Sequence, residues 1–408
     1  MGNFNVDTKE LNLEEVKNDL IKIIDENKEI YIYASHAIHS NPEIGNKEYF
    51  ACETLSNLLK ENGFEVETNI AGHVTGFIAR KKSKTNIGKT IGFLAEYDAL
   101  PGIGHACGHN IIGVASCAAA IALSQEIDEI GGEVIVFGCP SEEGGENGSA
   151  KGSFVKANVF DNVDACLMIH PSNETSVTGN SLAVDPIDFE FIGKPAHAAA
   201  CPEKGINALD GVIQLFNGIN ALRQHVPDDV RIHGIITHGG DAPNIVPEYA
   251  KARFYIRAQT RKTLNEVTNK IKSIANGAAL STGASVNIKF FQNQVDNFYV
   301  NNKFNELFVS VINELGHEIC TERQNGFGST DAGNVSHVVP TLHPHIKIGP
   351  SSLVGHTEEF CKASASKEGD EALIIGAKSL SLTALKLLVD GEVFKEIKEE
   401  FENNKYLL

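Results

Sequence analysis

The sequence predicts an α/β fold with a second, smaller α+β domain inserted in mid-chain, and three observations carry that prediction. Continuously apolar strand-like runs alternate with helical stretches as far as His170. From about residue 185 the order of elements becomes βαββαβ, a small sandwich in its own right. Loops rich in His, Cys and Glu stop before that insert and resume after it. At 408 residues the chain also exceeds what one ordinary core organises, so two domains are expected: a main domain from residues 1–185 and 297–408, and an inserted domain from residues 186–296.

Residues 12–40 carry helical periodicity, with Leu13, Val16, Leu20, Ile23 and Ile24 on one face, and a second helix is expected over residues 48–62, closed by Gly63. Strands follow at 65–70, 75–79 and 90–95, the last apolar throughout, as a strand covered on both faces is. Residues 111–124 read as a buried helix, 133–139 (EVIVFGC) as a second buried strand and 165–169 as a short third. The insert should contain strands at 188–192, 231–237, 250–258 and 285–291 and helices at 205–225 and 263–279. Beyond it come a helix over 304–315, a glycine-bearing loop at 326–337, strands near 336–339 and 345–348, and a long helix over 370–389 that would cover the sheet.

Composition narrows the function. Hydrophobic residues make up 42% and charged residues 22%, and no window approaches the roughly 18 uninterrupted apolar residues of a membrane span. The charged N-terminus lacks an apolar signal core, which is the pattern of a cytoplasmic protein. A net charge of −18 argues against nucleic acid and against an anionic membrane surface as partners, since both require basic patches. Eight scattered cysteines lack the regular spacing of a disulfide scaffold and are expected as reduced thiols.

Chemistry is concentrated where strands end. The run at 90–95 leads into Glu96 and Asp98 and then a Pro-Gly-x-Gly loop that presents His105, Cys107 and His109 at alternate positions. The strand at 133–139 leads into Glu142 and Glu143, adjacent carboxylates that are costly to bury unless ligated or catalytic. A third strand end leads to His170, and His356 lies in a loop beyond a later strand. Five groups thus converge as ligand candidates: Cys107, His109, Glu143, His170 and His356. One thiolate, one carboxylate and three imidazoles suit zinc, manganese, cobalt or nickel and disfavour magnesium and calcium.

The EYDALP, HACGHN, PSEEGG, GKPAHAA, PNIVPE and GHTEEF elements, in this order, resemble the amidohydrolase branch of the co-catalytic metallopeptidases that includes aminoacylase and carboxypeptidase G. Within it the chain is most similar to the Xaa-Arg dipeptidase and aminobenzoyl-glutamate hydrolase subgroup, in which Asn follows HACGH; Asn110 stands where relatives acting on auxin conjugates or hippurate usually have Asp. The resemblance covers essentially the whole chain. It implies a zinc-peptidase-like three-layer catalytic domain with a ferredoxin-like lid that also dimerises. It further implies two divalent transition-metal ions, zinc or manganese foremost, with His109 and His170 on one, Glu143 and His356 on the other, and Cys107 between them. Asp98 would orient an imidazole from behind. Glu142 would be the general base toward a metal-activated water, and His197 would donate to the developing oxyanion, often in a partner subunit. Asn244 and Arg257 resemble lid residues that hold the carbonyl and the free carboxylate of the substrate, a dipeptide or N-acyl amino acid. His105 receives no role, and His36 and His39 are expected to pack beneath the loop.

Two other readings compete. Cys107 could be the nucleophile of a cysteine hydrolase with a nearby His as base, which would leave the paired glutamates without a task. A non-catalytic binding protein on the same fold is the other, and retention of Glu142 beside five ligand candidates counts against it.

Overall fold

The computed structural model describes residues 12–85, 87–322 and 328–405. Three helices, α1 (Leu13–Glu26), α2 (Lys28–Ser40) and α3 (Tyr49–Glu61), precede the hairpin of β1 (Glu65–Ile70) and β2 (His73–Lys82). Then come β3 (Thr90–Glu96), α4 (His109–Ile130), β4 (Glu133–Cys139), α5 (Ala150–Lys156), β5 (Ala165–Leu167) and β6 (His170–Ser172). The insert comprises β7 (Ala183–Ile192), α6 (Ala208–Leu222), β8 (Arg231–His238), β9 (Tyr249–Ala258), α7 (Arg261–Thr282) and β10 (Ser285–Phe290). The chain closes with α8 (Asn302–Glu314), α9 (Ala332–Ser336), β11 (Thr341–Leu342), β12 (His345–Lys347), α10 (Glu358–Ala363), α11 (Lys367–Val389) and α12 (Gly391–Lys405).

Six strands form the main sheet in the order β1-β2-β4-β3-β5-β11, with β4, β3, β5 and β11 parallel. Alternation along β3 and β4 explains why both read as unbroken apolar runs. Ile91, Phe93, Ala95, Val134 and Val136 enter the core shared with α4 and α11, whereas Leu94, Ile135, Phe137 and Cys139 enter the opposite core under α5 and α9. The result is three layers, helix on sheet on helix. By length and composition α4 and α11 could each cross a bilayer; here α4 is buried almost end to end in the core and packs on α11.

In the insert, an antiparallel sheet of order β10-β7-β9-β8 carries α6 and α7 on one face. Every second residue of β9 is buried, from Ala250 through Phe254 to Ala258, as a half-covered strand requires. β8 is an edge strand whose Ile235 and Ile236 are exposed, an apolar edge of the kind that pairing with another strand would cover. Arg261, opening α7, locks the two chain crossings: it bonds Asp185 Oδ1 and Asp296 Oδ1, each at 2.6 Å, and the Val295 carbonyl at 2.6 Å.

Four local expectations are corrected. The helical stretch 12–40 is two helices, because Asn27 leaves helical geometry (ψ 5°) and its side-chain amide bonds the Ile23 carbonyl at 2.8 Å. No strand forms at 336–339: Ala332–Ser336 is a short helix whose Ser336 hydroxyl bonds the Gly333 carbonyl, and pairing with β5 begins only after Pro340, at Thr341. β7 begins at Ala183, ahead of the strand expected at 188–192, and α12 was not anticipated at all. The charged N-terminal stretch of residues 1–11, and positions 326 and 327 of the glycine-bearing loop, lie outside the described residues.

Candidate metal centre

Loops leaving the C-terminal ends of β3, β4 and β5 meet at one point, as open parallel sheets dictate for functional side chains. The first loop turns into α4 at Gly108, whose φ of +78° and close approach to Pro171 (a Cβ would lie 2.8 Å from its Cγ) admit only glycine. His109, the first residue of α4, is fully buried, with Nδ1 2.9 Å from Asp98 Oδ1. The Nδ1–H therefore donates to Asp98, and Nε2 is left facing the site with no hydrogen-bond partner. The other Asp98 oxygen accepts the Glu143 N–H at 3.0 Å, so one carboxylate fixes both the imidazole and the glutamate turn.

His170 opens β6. Its Nδ1 donates to the Pro171 carbonyl at 2.8 Å, which directs Nε2 to within 3.5 Å of Cys107 Sγ. His356 comes from the far loop in a left-handed conformation (φ +62°), and its backbone N–H is tied to the Ala106 carbonyl at 2.9 Å. Ser141 (φ +59°) is strained in the same way immediately before the glutamate pair. His356 Nε2 lies 3.5 Å from Glu143 Oε1.

The donor atoms form two sets that share a thiol. Those of Cys107, His109 and His170 lie within 4.8 Å of one another, and so do those of Cys107, Glu143 and His356. Nitrogen, sulfur and carboxylate oxygen are the ligands of zinc and its first-row neighbours. Among the described residues, His109 Nε2 and Glu143 Oε1 are buried without hydrogen-bond partners, as ligand atoms aimed at a cation are. The side chains present thus fit a pair of divalent ions.

Glu142 stands beside both sets. Burial, and then the charges of Glu96, Glu143 and Asp331, push its carboxyl well above the usual range. Burial likewise raises the Cys107 thiol, with His109 opposing and Glu143 adding to the rise, which is the wrong direction for a free nucleophile. Burial and the His109 charge hold His170 down at about 4, leaving it a neutral imidazole.

The cavity over these groups measures about 670 Å³ and spans both domains. Glu142, Glu143, His170 and His356 lie on its floor, and Tyr255 and Arg257 of β9 reach it from the lid. Arg257 donates to Ser329 Oγ at 2.9 Å. His197 and Asn244 do not line it. Both are exposed on the insert, where the Ala198 N–H donates to the Asn244 carbonyl at 3.0 Å and His197 pairs with Ile245 in an isolated β-bridge. His105 is buried and stacks on His39, which therefore packs beneath the loop, whereas the half-exposed His36 bonds Asp370 of α11 at 2.7 Å.

Sequence reasoning gave no role to Glu96, Lys151, Asp331, His343 and His345. Lys151 is fully buried between Glu96 and Asp331, and in the cavity wall His343 stacks on His170 while His345 lies tilted against it. A lysine inside a short apolar helix was the available signal for the first group, and the HPH run the signal for the second.

A three-layer α/β domain whose strand ends gather a dinuclear donor set beneath an inserted lid is the architecture of a co-catalytic metallohydrolase. The chain belongs to the M20 family of metal-dependent peptidases and amidohydrolases, enzymes that cleave carbon–nitrogen amide bonds. Residues 187–282 match the model described as a peptidase dimerisation domain. The chain is 35% identical over 408 residues to the Xaa-Arg dipeptidase of Homo sapiens, covering 96% of this chain and 93% of that protein. It is 28% identical over 470 residues to a p-aminobenzoyl-glutamate hydrolase polypeptide of Escherichia coli, covering 96% and 95%. Among solved structures it shares its fold with the aminobenzoyl-glutamate utilization protein of Klebsiella pneumoniae (TM-score 0.69, 18% identity, 92% of this chain and 98% of that one). It also shares it with a Bacillus subtilis dinuclear metal binding peptidase of the M20 family (TM-score 0.64, 19% identity, 89% and 99%).

Proposed function

We propose that this enzyme is a dipeptidase that releases a basic C-terminal amino acid, with Glu142 as its general base. The observation that carries the mechanism is the pair of donor sets joined at Cys107 with the Glu142 carboxylate beside them. The substrate class rests on similarity to the Xaa-Arg dipeptidase over nearly the whole chain.

Cys107, His109 and His170 would hold one ion, and Cys107, Glu143 and His356 the other. Zinc or manganese suits these donors best, with cobalt or nickel as further candidates. When bound, the ions polarise the scissile carbonyl and acidify a water. Glu142 takes the proton from that water at a carboxylate oxygen and returns it to the leaving nitrogen, acting first as general base and then as general acid. Arg257, on the cavity wall, offers its guanidinium fork to the terminal carboxylate. His197 accepts the N–H groups of Ala199 and Ala200 at Nδ1, 3.2 and 3.1 Å away, which leaves Nε2 as a donor for an oxyanion. Since His197 does not line its own cavity, it would serve the site of a partner subunit in a homodimer. The eight unpaired cysteines suit the reducing cytoplasm.

Turnover of dipeptides with basic, acidic and aromatic C-terminal residues by metal-reconstituted protein tests the substrate; selective cleavage of the basic set is expected, and cleavage of acyl-aromatic conjugates alone would reject it. Glu142→Gln should lower kcat by about 10²–10⁴-fold with metal content unchanged. Activity that survives complete chelation but is abolished by thiol alkylation would replace this mechanism with a cysteine nucleophile.

A further inference from the structure

Lys151, on α5, has no exposed surface, and its surroundings are acidic. Its Nζ lies 2.6 Å from Glu96 Oε1 and 2.5 Å from Asp331 Oδ1, and its backbone N–H donates to Asp331 Oδ2 at 3.1 Å. Both carboxylates are buried. Together with Glu142 they form a further cluster, each offering a carboxylate oxygen within 4.8 Å of the others, and Glu96 Oε2 has no hydrogen-bond partner among the described residues. Three carboxylates at that spacing in a buried place are a donor set for a hard divalent cation. The chain supplies an ammonium there instead. The cluster also borders the metal centre, with Glu96 Oε2 3.6 Å from His109 Nε2 and Glu142 Oε2 4.0 Å from the same nitrogen.

We propose that Lys151 is a positioning residue whose ammonium fills a cation position among Glu96, Glu142 and Asp331, confining divalent ions to the Cys107-centred pair and keeping Glu142 free of ligation. Removing the ammonium leaves the cluster with three carboxylates and no cation of its own, and an extra divalent ion is what would offset their negative charge. That ion would recruit Glu142 as a ligand and turn its oxygens away from the attacking water. The effect on turnover rests on Glu142 being the base; the effect on metal content does not.

The test is metal stoichiometry by elemental analysis after equilibration with manganese, with kinetics in parallel, on the full chain and its Lys151→Met, Lys151→Gln and Lys151→Arg variants. Lys151→Met should bind one additional ion per chain, and its kcat should fall by about tenfold or more while KM stays within about threefold. Lys151→Arg, which keeps the charge, should retain wild-type stoichiometry and most of kcat. Adding Asp331→Asn to Lys151→Met should abolish the extra ion. Lys151→Gln, nearer to lysine in length and polarity, gives the same reading if the methionine variant does not fold. Wild-type stoichiometry in the folded uncharged variants, or an extra ion in Lys151→Arg, overturns the proposal. A wild-type enzyme with no dipeptidase activity would defeat the proposed function and leave the stoichiometry of these variants still decisive for Lys151.

Discussion

Asp98 shows how much of the site is set by one side chain. Its two oxygens do different work: one holds His109 by Nδ1, the other holds the backbone N–H of Glu143, so a ligand of each donor set depends on it. In Asp98→Asn a neutral amide replaces the anion, weakening the hold on the Nδ1–H and lowering the basicity of His109 Nε2. Metal affinity should fall by about 10–100-fold while the fold is retained. Competition against a chromophoric chelator measures it, and an affinity equal to wild type would show that Asp98 is only a turn residue. The ligand candidates were legible in the sequence because each is an imidazole, thiol or carboxylate at the end of an apolar run, and parallel strands deliver their ends to one rim. Lys151 and Asp331 were not, because they are 180 positions apart in the chain and only the packing of α5 against α9 joins them. His197 and Asn244 stood out only through the GKPAHAA and PNIVPE motifs, and nothing in one chain's sequence says which cavity they serve.

Secondary-structure elements carried most of the legible information and also the errors. Strands covered on both faces were read to within a residue or two, since no polar position interrupts β3 or β4. The break at Asn27 and the short α9 were misread because both turn on a local side-chain hydrogen bond, which leaves little trace in apolar periodicity. His73, at the start of β2, is an element-scale device of the same kind. Its Nδ1 meets Asn46 Oδ1 at 2.7 Å and its Nε2 meets Ser153 Oγ at 2.9 Å, joining the α2–α3 connection, the sheet and α5. Burial lowers its pKa to about 4 from the ordinary 6.5. Below pH 6.5 the unfolded chain takes up a proton that the folded chain refuses until about pH 4. The stability contributed by neutral His73 is therefore complete above pH 6.5 and is lost as pH falls toward 4, by up to about 3 kcal/mol. Urea denaturation of wild type and His73→Gln at pH 7.5 and pH 4.5 checks this: the gap between the two proteins should narrow at the lower pH. A gap independent of pH would mean that folding leaves the pKa of His73 unshifted.

At the scale of the whole molecule, the insert presents features that lie away from the cavity of its own chain. β8 leaves Ile235 and Ile236 exposed on a free edge, and His197 and Asn244 sit outside the cavity beneath their own lid. A two-fold pairing of inserts would cover the apolar edge and carry each His197 away from its own centre toward another. This predicts complementation between two inactive chains. A Glu142→Gln chain keeps His197, and a His197→Ala chain keeps Glu142. A mixed dimer then contains one site with Glu142 from the second chain and His197 of the partner subunit, and one site with neither. Co-expressed in equal amounts and paired at random, half the dimers are mixed and half their sites are complete, so about a quarter of wild-type activity should return. Each variant expressed alone should stay at its own low level. Activity of the mixture no higher than the mean of the two parents would place His197 in its own subunit's reaction or outside the reaction altogether, and sedimentation of the same sample separates that result from a failure to pair.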